Sequence, residues 1–519
     1  MPTEPATIAK LLRQQSDSRP GHPMLVCDAD RISYSEAEQR SARLARGLIA
    51  LGAGKGTHVG LLYPNGPDFV VAMLAAARVG AVVVPFSTFA TARELREQLV
   101  HADVAMLLSA SSFRSHDYAL RLAEAFGGEN LDGELFITDA PVLRHIADVE
   151  RVSQLSANVP LELLRAMEDD VDGCDVLTIV YTSGSTSAPK GVVHTQAALI
   201  GHQRNLNAIR GLTPDDRLFC NSPFFWIGGF AFALLATLVA GSTLVCSNSA
   251  DAGAVLDLIE AEKPTLTNGF VAGVAHLTDH PTYPERDLSS LRRGNLYPIM
   301  APEVRPSDPE LRHNMLGMTE AGSVLLISAD ESDQPEQRRG SYGTPAPEFQ
   351  TLIVDPDTGG QVRPGEVGEL WIRGPHVMQG YYKRSREECF DADGWFHTGD
   401  LLRADDDGFF YFAGRLGGMI KTAGANVSAA EVERAMAGIG VTAHVVGIPD
   451  ATRGQLVAAV VVLPDGSHGF DEAALRLRLR TELSAYKIPR RFVALPRGRI
   501  PLLSSGKVDA LRLRTLFDD

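Results

Sequence analysis

Cysteine is scarce in this chain: five in 519 residues, at Cys27, Cys174, Cys220, Cys246 and Cys389. None forms a C-x-x-C pair, so neither a zinc site nor a disulfide framework is indicated, and a reducing compartment fits. Long apolar runs are missing as well. The most apolar segment, "FAFALLATLVAG" from Phe230 to Gly241, is too short to span a bilayer. The opening "MPTEPATIAKLLRQQSDSRPG" lacks the basic-then-apolar order of a signal peptide. The expected location is therefore the cytoplasm. There is no basic excess either. The formal net charge is −15, which argues against non-specific binding to nucleic acid or to an anionic membrane. It does not set the sign of a substrate, because a site can be locally basic on an acidic protein.

What is present is an ordinary globular composition, 45% hydrophobic and 22% charged. The length exceeds what one hydrophobic core supports, so two or more domains are expected. Early on, strand and helix patterns alternate: "HVGLLY", then "PDFVVAMLAAARVG", "AVVVPF", "TARELREQLVHAD" opened by Thr91, and "VAMLLSA". Such a series predicts a parallel sheet covered by helices. A similar signal resumes at "DVLTIVYTSGS" and runs to about Thr267. From Gly340 turn residues separate short strand-like pieces such as "QTLIV" and "GELWIRG", as in a small antiparallel β unit. After "GFFYFAGRLGGMIK" the pattern becomes a compact α+β tail. The expected boundary divides residues 1–415 from 416–519.

One loop stands out. "YTSGSTSAPKG", Tyr181 to Gly191, is rich in Ser, Thr and Gly and carries Lys190. Read as a strand-to-helix connection between "DVLTIV" and "TQAALIGHQRNLNAI", it sits where α/β proteins bind ligands. Glycines let backbone N–H groups converge on an anion, and hydroxyls add donors. It is not G-x-x-x-x-G-K-[ST], since Lys190 precedes Gly191. On composition alone, a flexible Ser/Thr turn and an anion cradle are evenly matched.

The stretch "YTSGSTSAPKGVVHT" resembles the phosphate-binding signature of the adenylate-forming superfamily, which includes acyl-CoA synthetases, adenylation domains and luciferases. Further resemblances follow in the family's order: "LGMTE", "WFHTGDL", "GRLGGMIKTAGANVSAAEVE" and "IPLLSSGKVD". The resemblance covers essentially the whole chain. It implies an α/β fold: a large N-terminal domain of two doubly wound α/β subdomains plus a small β-barrel-like unit, then a small mobile α+β C-terminal lid domain. It also implies the cofactors ATP, Mg²⁺ and CoA.

By resemblance, Thr182, Ser183, Gly184, Ser185, Thr186 and Lys190 hold the β- and γ-phosphates of ATP. Thr319 lies beside the phosphates within Leu316, Gly317, Met318 and Thr319, and Glu320 is the Mg²⁺ ligand. A hard oxygen donor suits a metal otherwise bound by water and phosphate. Leu316 stands where the family usually has an aromatic stacked on adenine. Asp400 matches the carboxylate that accepts the ribose hydroxyls, with Arg415 nearby. Gly294 and Asn295 are the nearest equivalents of the family's adenine segment. Lys507 resembles the C-terminal lysine that bridges the substrate carboxylate and the α-phosphate, so Lys507, Thr186, Lys190 and Glu320 form the expected catalytic set. Gly417 occupies the hinge position, with Gly418 beside it, and Gly424 lies in the loop expected to line a pantetheine tunnel.

Trp226, with Gly228, falls in the acyl-pocket segment "NSPFFWIGGF". A gate or wall and an ordinary core tryptophan are equally compatible with it. The segment resembles bacterial acyl-CoA synthetases of the fatty or steroid-side-chain type. The function implied is activation of a small-molecule carboxylic acid to an acyl-adenylate, then transfer to the thiol of CoA. Two alternatives stay open: transfer to a carrier-protein thiol, an amine or another nucleophile, and a non-catalytic acyl or nucleotide sensor.

Overall fold

The structure is a computed structural model that describes residues 6–128, 131–182, 190–416, 419–423, 425–450, 452–463, 469–502 and 508–518. The alternating N-terminal pattern becomes the centre of a seven-stranded sheet. Strand His58–Leu62 lies between Val82–Pro85 and Met106–Ser109, both parallel to it. Helix Ala92–His101 starts on a capping box: the Glu94 N–H donates to the Thr91 hydroxyl, and the Thr91 N–H donates back to the Glu94 carboxylate. A second sheet of six strands runs, in spatial order, Arg293–Gly294, Leu266–Asn268, Arg217–Cys220, Thr243–Cys246, Pro23–Cys27 and Asp30–Ser33.

Helix Pro67–Arg78 explains how the two sheets join. Every residue from Phe69 to Arg78 is buried. A helix apolar on all sides belongs inside a core. This one packs in a single cluster that includes Met24 and Leu25 of one sheet and Val59 and Leu61 of the other. At its C-terminal end Arg78, 1% exposed, donates from Nε to Glu168 at 2.6 Å and from Nη1 to Ser41 at 2.8 Å, and pairs with Glu38 at 2.7 Å. Arg165 bonds the same two glutamates. Buried charges are tolerated only when compensated in this way.

The connection from Tyr181 to Gly191 differs from the expected strand-to-helix crossover. Lys190–Thr195 forms a second strand, antiparallel to Val176–Thr182, with Val192 opposite Val180 and Val193 opposite Ile179. Helix Gln196–Arg210 begins only after it, capped by the Thr195 hydroxyl. The adjacent β-branched Val192 and Val193 favour the pleated conformation, and Val192 is fully buried. The loop is therefore the tip of a hairpin.

The β region after it is open, without a closed barrel among the described residues. Leu316–Met318, Ser323–Ile327 and Thr344–Pro345 make one antiparallel sheet. Gln350–Val354, Gly368–Arg373, Phe396–Ala404 and Phe410–Arg415 make another. The first sheet has two packed faces: Val324 and Ile327 meet Leu206 and Phe232 of the large α/β core, while Leu316 and Leu326 share a core with Ile353 and Leu370 of the second sheet.

The C-terminal unit is a five-stranded sheet with two unlike faces. Helices Ala429–Gly438 and Glu472–Glu482 cover one, through Val432, Met436, Leu475 and Leu479. Leu513 and Phe517 pack on the other, against Val446 and Val460. Arg78→Ala leaves Glu38 and Glu168 uncompensated, and breaking such a buried pair costs about 3–5 kcal/mol. Urea denaturation is expected to show that loss, with an unchanged slope against denaturant.

Candidate active site

The large α/β body and the C-terminal unit enclose a cleft of about 700 Å³. One end is aromatic. Trp226 lies 5.4 Å from the Phe225 ring and 5.7 Å from Phe270, both edge-to-face, and Phe232 and Gly228 line the same end. Trp226 is half-buried rather than a core residue, and it faces Tyr486 of the C-terminal unit at 6.3 Å. The other end is polar, bordered by Thr182, Asn295, Gly317, Met318 and Thr319. Gly317 approaches the neighbouring strand so closely that a Cβ there would sit 2.7 Å from the Ser323 carbonyl oxygen. Asn295 donates to the Gly269 carbonyl at 2.7 Å and accepts from the Gly269 N–H at 3.1 Å, fixing a turn that also lines the cleft.

The residues expected from sequence thus fall into three groups. Thr182, Trp226, Gly228, Asn295, Gly317, Met318 and Thr319 border the cleft directly. Lys190, Glu320, Asp400 and Arg415 lie around its polar end without being part of the wall. Leu316 turns inward instead: it is 3% exposed and packs with Val192 and Leu326, away from the cleft surface. Gly294 does not line the cleft either. Its N–H donates to Glu331 at 3.3 Å, its φ is 103°, and a Cβ would meet the Thr267 carbonyl oxygen at 2.0 Å. That position requires glycine for backbone reasons. Ser183, Gly184, Ser185, Thr186, Gly417, Gly424 and Lys507 lie outside the described residues.

Two charged groupings flank the polar end. Asp400, 4% exposed, pairs with Arg415 Nε at 3.2 Å, and the two residues are opposite each other in adjacent strands. Burial pushes the Asp400 carboxyl up, and Arg415 and Lys421 oppose that shift. The second grouping is Glu320 with Tyr381 and Lys190. The Tyr381 hydroxyl donates to Glu320 Oε1 at 2.7 Å, and Lys190 Nζ stands 5.2 Å above the Tyr381 ring. Burial lowers the Lys190 ammonium and the Glu320 charge partly restores it. Behind them a fully buried His194, pushed down to about 4 by burial and so neutral, sits with Nε2 2.7 Å from the Thr319 carbonyl.

The C-terminal unit contributes Lys421, Ala425, Asn426, Tyr486 and Lys487 to the cleft. It is docked by a buried charge cluster that sequence reading did not find. Lys487 donates to Glu94 Oε1 and to Glu431 Oε1, each at 2.7 Å, and the Ser484 hydroxyl donates to Glu94 Oε2 at 2.6 Å. Glu94 is 8% and Lys487 6% exposed. At the surface beside it Arg93 pairs with Glu482. Glu94 is readable in sequence as a helix cap, but its partners lie about 390 residues away. Next to this contact a second cavity, about 810 Å³, is bordered by Arg93, Arg96, Arg121 and Arg480.

A family model described as AMP-binding enzyme matches residues 12–382, and one described as the AMP-binding enzyme C-terminal domain matches 438–507. The chain is 34% identical to a feruloyl-CoA synthase of Amycolatopsis sp, covering 94% of each. It is 32% identical to the 3-[(3aS,4S,7aS)-7a-methyl-1,5-dioxo-octahydro-1H-inden-4-yl]propanoyl:CoA ligase of Mycobacterium tuberculosis, covering 99% of each. Among solved structures it resembles the o-succinylbenzoate CoA synthetase of Bacillus subtilis bound to a product analogue, OSB-NCoA. There the TM-score is 0.79 and the identity 25%, with 97% of this chain and 98% of that one covered. ATP-bound MatB from Rhodopseudomonas palustris matches with a TM-score of 0.67 at 25% identity, covering 99% of each.

The charge cluster makes docking depend on pH. Desolvation raises Glu94, but Lys487, Ser484 and the Thr91 N–H outweigh it, and the net shift is downward from 4.5. A carboxylate lowered in the docked state supports docking above its ordinary range and loses that support as pH falls through the lowered value. The compact shape is therefore expected at neutral pH and is lost in acid. Glu94→Gln is expected to enlarge the radius of gyration by small-angle scattering already at pH 7. A variant as compact as wild type contradicts this role for the cluster.

Proposed function

The chain belongs to the AMP-binding enzyme family, and on that premise we propose that it joins a ring-bearing carboxylic acid to CoA with conversion of ATP to AMP. The observation that carries this reading is a single cleft bordered by Thr182, Thr319 and Trp226 of the large body and by Asn426 and Tyr486 of the C-terminal unit. An acyl group at the aromatic end and a nucleotide at the polar end would meet there.

In the first step a carboxylate oxygen of the acid attacks the α-phosphorus of ATP, and pyrophosphate leaves. The hairpin tip carrying Thr182, Ser183, Gly184, Ser185, Thr186 and Lys190 orients that leaving group, and Lys507 neutralises charge at the reacting phosphorus. Asp400 accepts the ribose hydroxyls beside Arg415. In the second step the thiol sulfur attacks the acyl carbon and AMP leaves. Fixing both partners in one cleft supplies the proximity that makes each attack effectively intramolecular.

The donor set suits Mg²⁺. Among the described residues no group of three or more His, Cys, Asp or Glu is placed to hold a metal. Glu320 offers one hard carboxylate, which suits an ion whose other ligands are phosphates and water. When bound, the ion would neutralise charge on the phosphates.

The two steps call on different faces of the C-terminal unit. The described residues flanking Lys507, Leu502 and Val508, pair with each other, and Val508 packs on the Val446 and Val460 face. The helices Ala429–Gly438 and Glu472–Glu482, on the opposite face, are the ones at the cleft. This supports an arrangement suited to acyl transfer, with a turn about Gly417 bringing Lys507 in for the first step and the Gly424 loop serving the second. The higher similarity to the product-analogue complex than to the ATP complex agrees with that. The arginine-bordered cavity beside Glu94 supports CoA as acceptor, since CoA is a polyanion and guanidinium groups suit phosphate.

The decisive measurement is AMP release over a panel of ring-bearing and straight-chain acids, with and without CoA. Turnover is expected to require CoA and to yield the acyl thioester. Lys507→Ala is expected to reduce ATP–pyrophosphate exchange by about 100-fold or more. Arg96→Ala is expected to raise KM for CoA and leave KM for pantetheine, which has no nucleotide, unchanged. CoA-independent turnover overturns the choice of acceptor, and an inert wild type across the panel overturns the catalytic reading.

A further inference from the structure

Tyr381 has no role in the reading above, yet it meets two of that site's charged groups, Glu320 and Lys190, and one further cation, Arg384. Its hydroxyl donates to Glu320 Oε1 at 2.7 Å, Lys190 Nζ lies 5.2 Å from its ring centroid, and Arg384 Cζ lies 5.5 Å from it on the same ring system. The residue is 9% exposed. Its backbone is fixed as firmly as its side chain. The two-residue strand Gly380–Tyr381 pairs antiparallel with Lys190–Thr195, setting Tyr381 opposite Val192. Two residues earlier in that segment's approach, the Met378 N–H donates to the Glu320 carbonyl at 2.8 Å. The ring packs edge-on to Phe396 at 6.3 Å. Glu320 is thus held through both its backbone and its carboxylate by one short segment, which also pairs with the strand carrying Lys190.

A carboxylate on a flexible side chain binds a metal well only when its plane is fixed, and a hydrogen bond to one oxygen fixes it while the other oxygen faces the ion. The geometry points to Tyr381 as the positioning residue for the Glu320 carboxylate: its hydroxyl holds Oε1 so that the remaining oxygen is presented to a divalent cation carried by the ATP phosphates, while its ring face seats the Lys190 ammonium. The aromatic face attracts a cation by its quadrupole, so the two contacts hold an opposite-charge pair on either side of one rigid group. Tyr381 does not border the cleft; it acts through its neighbours. This inference rests on the proposed metal-binding role of Glu320.

The test is Tyr381→Phe, which keeps the ring, the strand pairing and the Lys190 contact and removes only the hydroxyl. Binding of ATP is measured by calorimetry with Mg²⁺ and, separately, with EDTA. Loss of a group that orients a metal ligand typically costs about 10- to 100-fold in metal affinity. The variant is therefore expected to weaken Mg²⁺-dependent ATP binding by that factor and to leave metal-free ATP binding unchanged. Half-saturating Mg²⁺ in ATP–pyrophosphate exchange is expected to rise by a similar factor. In a Glu320→Gln background, Tyr381→Phe is expected to add nothing.

Equal weakening with and without Mg²⁺ would mean that the hydroxyl serves only the fold, and no weakening would mean that it does not orient the ligand. Either result overturns the proposal. If circular dichroism shows that Tyr381→Phe has lost its fold, 4-aminophenylalanine at position 381 keeps a ring donor and must retain the wild-type Mg²⁺ dependence. Failure of that replacement to do so also overturns it. Glu320→Gln alone separates the two readings: if it binds ATP equally well with and without Mg²⁺ present, as wild type does not, the metal role of Glu320 stands. If it is indistinguishable from wild type, that underlying role falls first.

Discussion

The cleft exists because a lysine from one folding unit is buried between glutamates of two. Lys487 reaches Glu94 on the large body and Glu431 on its own unit; the contact with Glu94 is buried and that with Glu431 half-buried. Removing ions from water is expensive, and in this geometry the cost is offset only while all partners are present. The cluster is therefore specific to one arrangement. Hydrophobic contact tolerates sliding, but two buried charges, a half-buried third and a serine hydroxyl do not. Trp226, already packed on Phe225 and Phe270, then meets Tyr486 across the cleft as a consequence of that docking.

Glu94 shows how closely local and long-range structure are joined. Its Oε2 accepts the Thr91 N–H, a local capping bond, and also the Ser484 hydroxyl; its Oε1 takes Lys487. The helix start thus orients the carboxylate before the second unit arrives. Pre-set orientation reduces the side-chain entropy lost on docking.

The strands and helices were legible because their signals are local. Thr91 three residues before Glu94, the apolar runs "HVGLLY" and "AVVVPF", and the largely apolar helix after Pro67 each report their own conformation. The motif residues at the polar end were legible through family resemblance, and Thr182, Gly317 and Thr319 do border the cleft. What was not legible came from pairing over distance. "KGVVHT" reads as the approach to a helix until Val192 finds Val180, and only then is the loop a hairpin tip. Leu316 reads as a neighbour of the base, yet its strand pairing with Leu326 sends the side chain into the core. Lys487, Tyr486 and Tyr381 carry no local signal, because each is defined by a partner far away in sequence.

The two ends of the cleft follow one electrostatic rule with opposite purposes. At the docked contact the Lys487 ammonium is met by two carboxylates, Glu94 and Glu431. At the polar end compensation is incomplete. Burial still raises Asp400 despite Arg415, and burial still lowers Lys190 despite Glu320. Groups left in that condition gain most when a complementary charge or donor arrives, because the low-dielectric surroundings strengthen the new contact as much as they penalised its absence. In the function proposed above, a nucleotide would bring ribose hydroxyls to the raised carboxylate and phosphates to the lowered ammonium. The same burial that leaves Asp400 and Lys190 only partly compensated is thus what would give the polar end its affinity, while the Lys487 contacts hold the two sides of the cleft together.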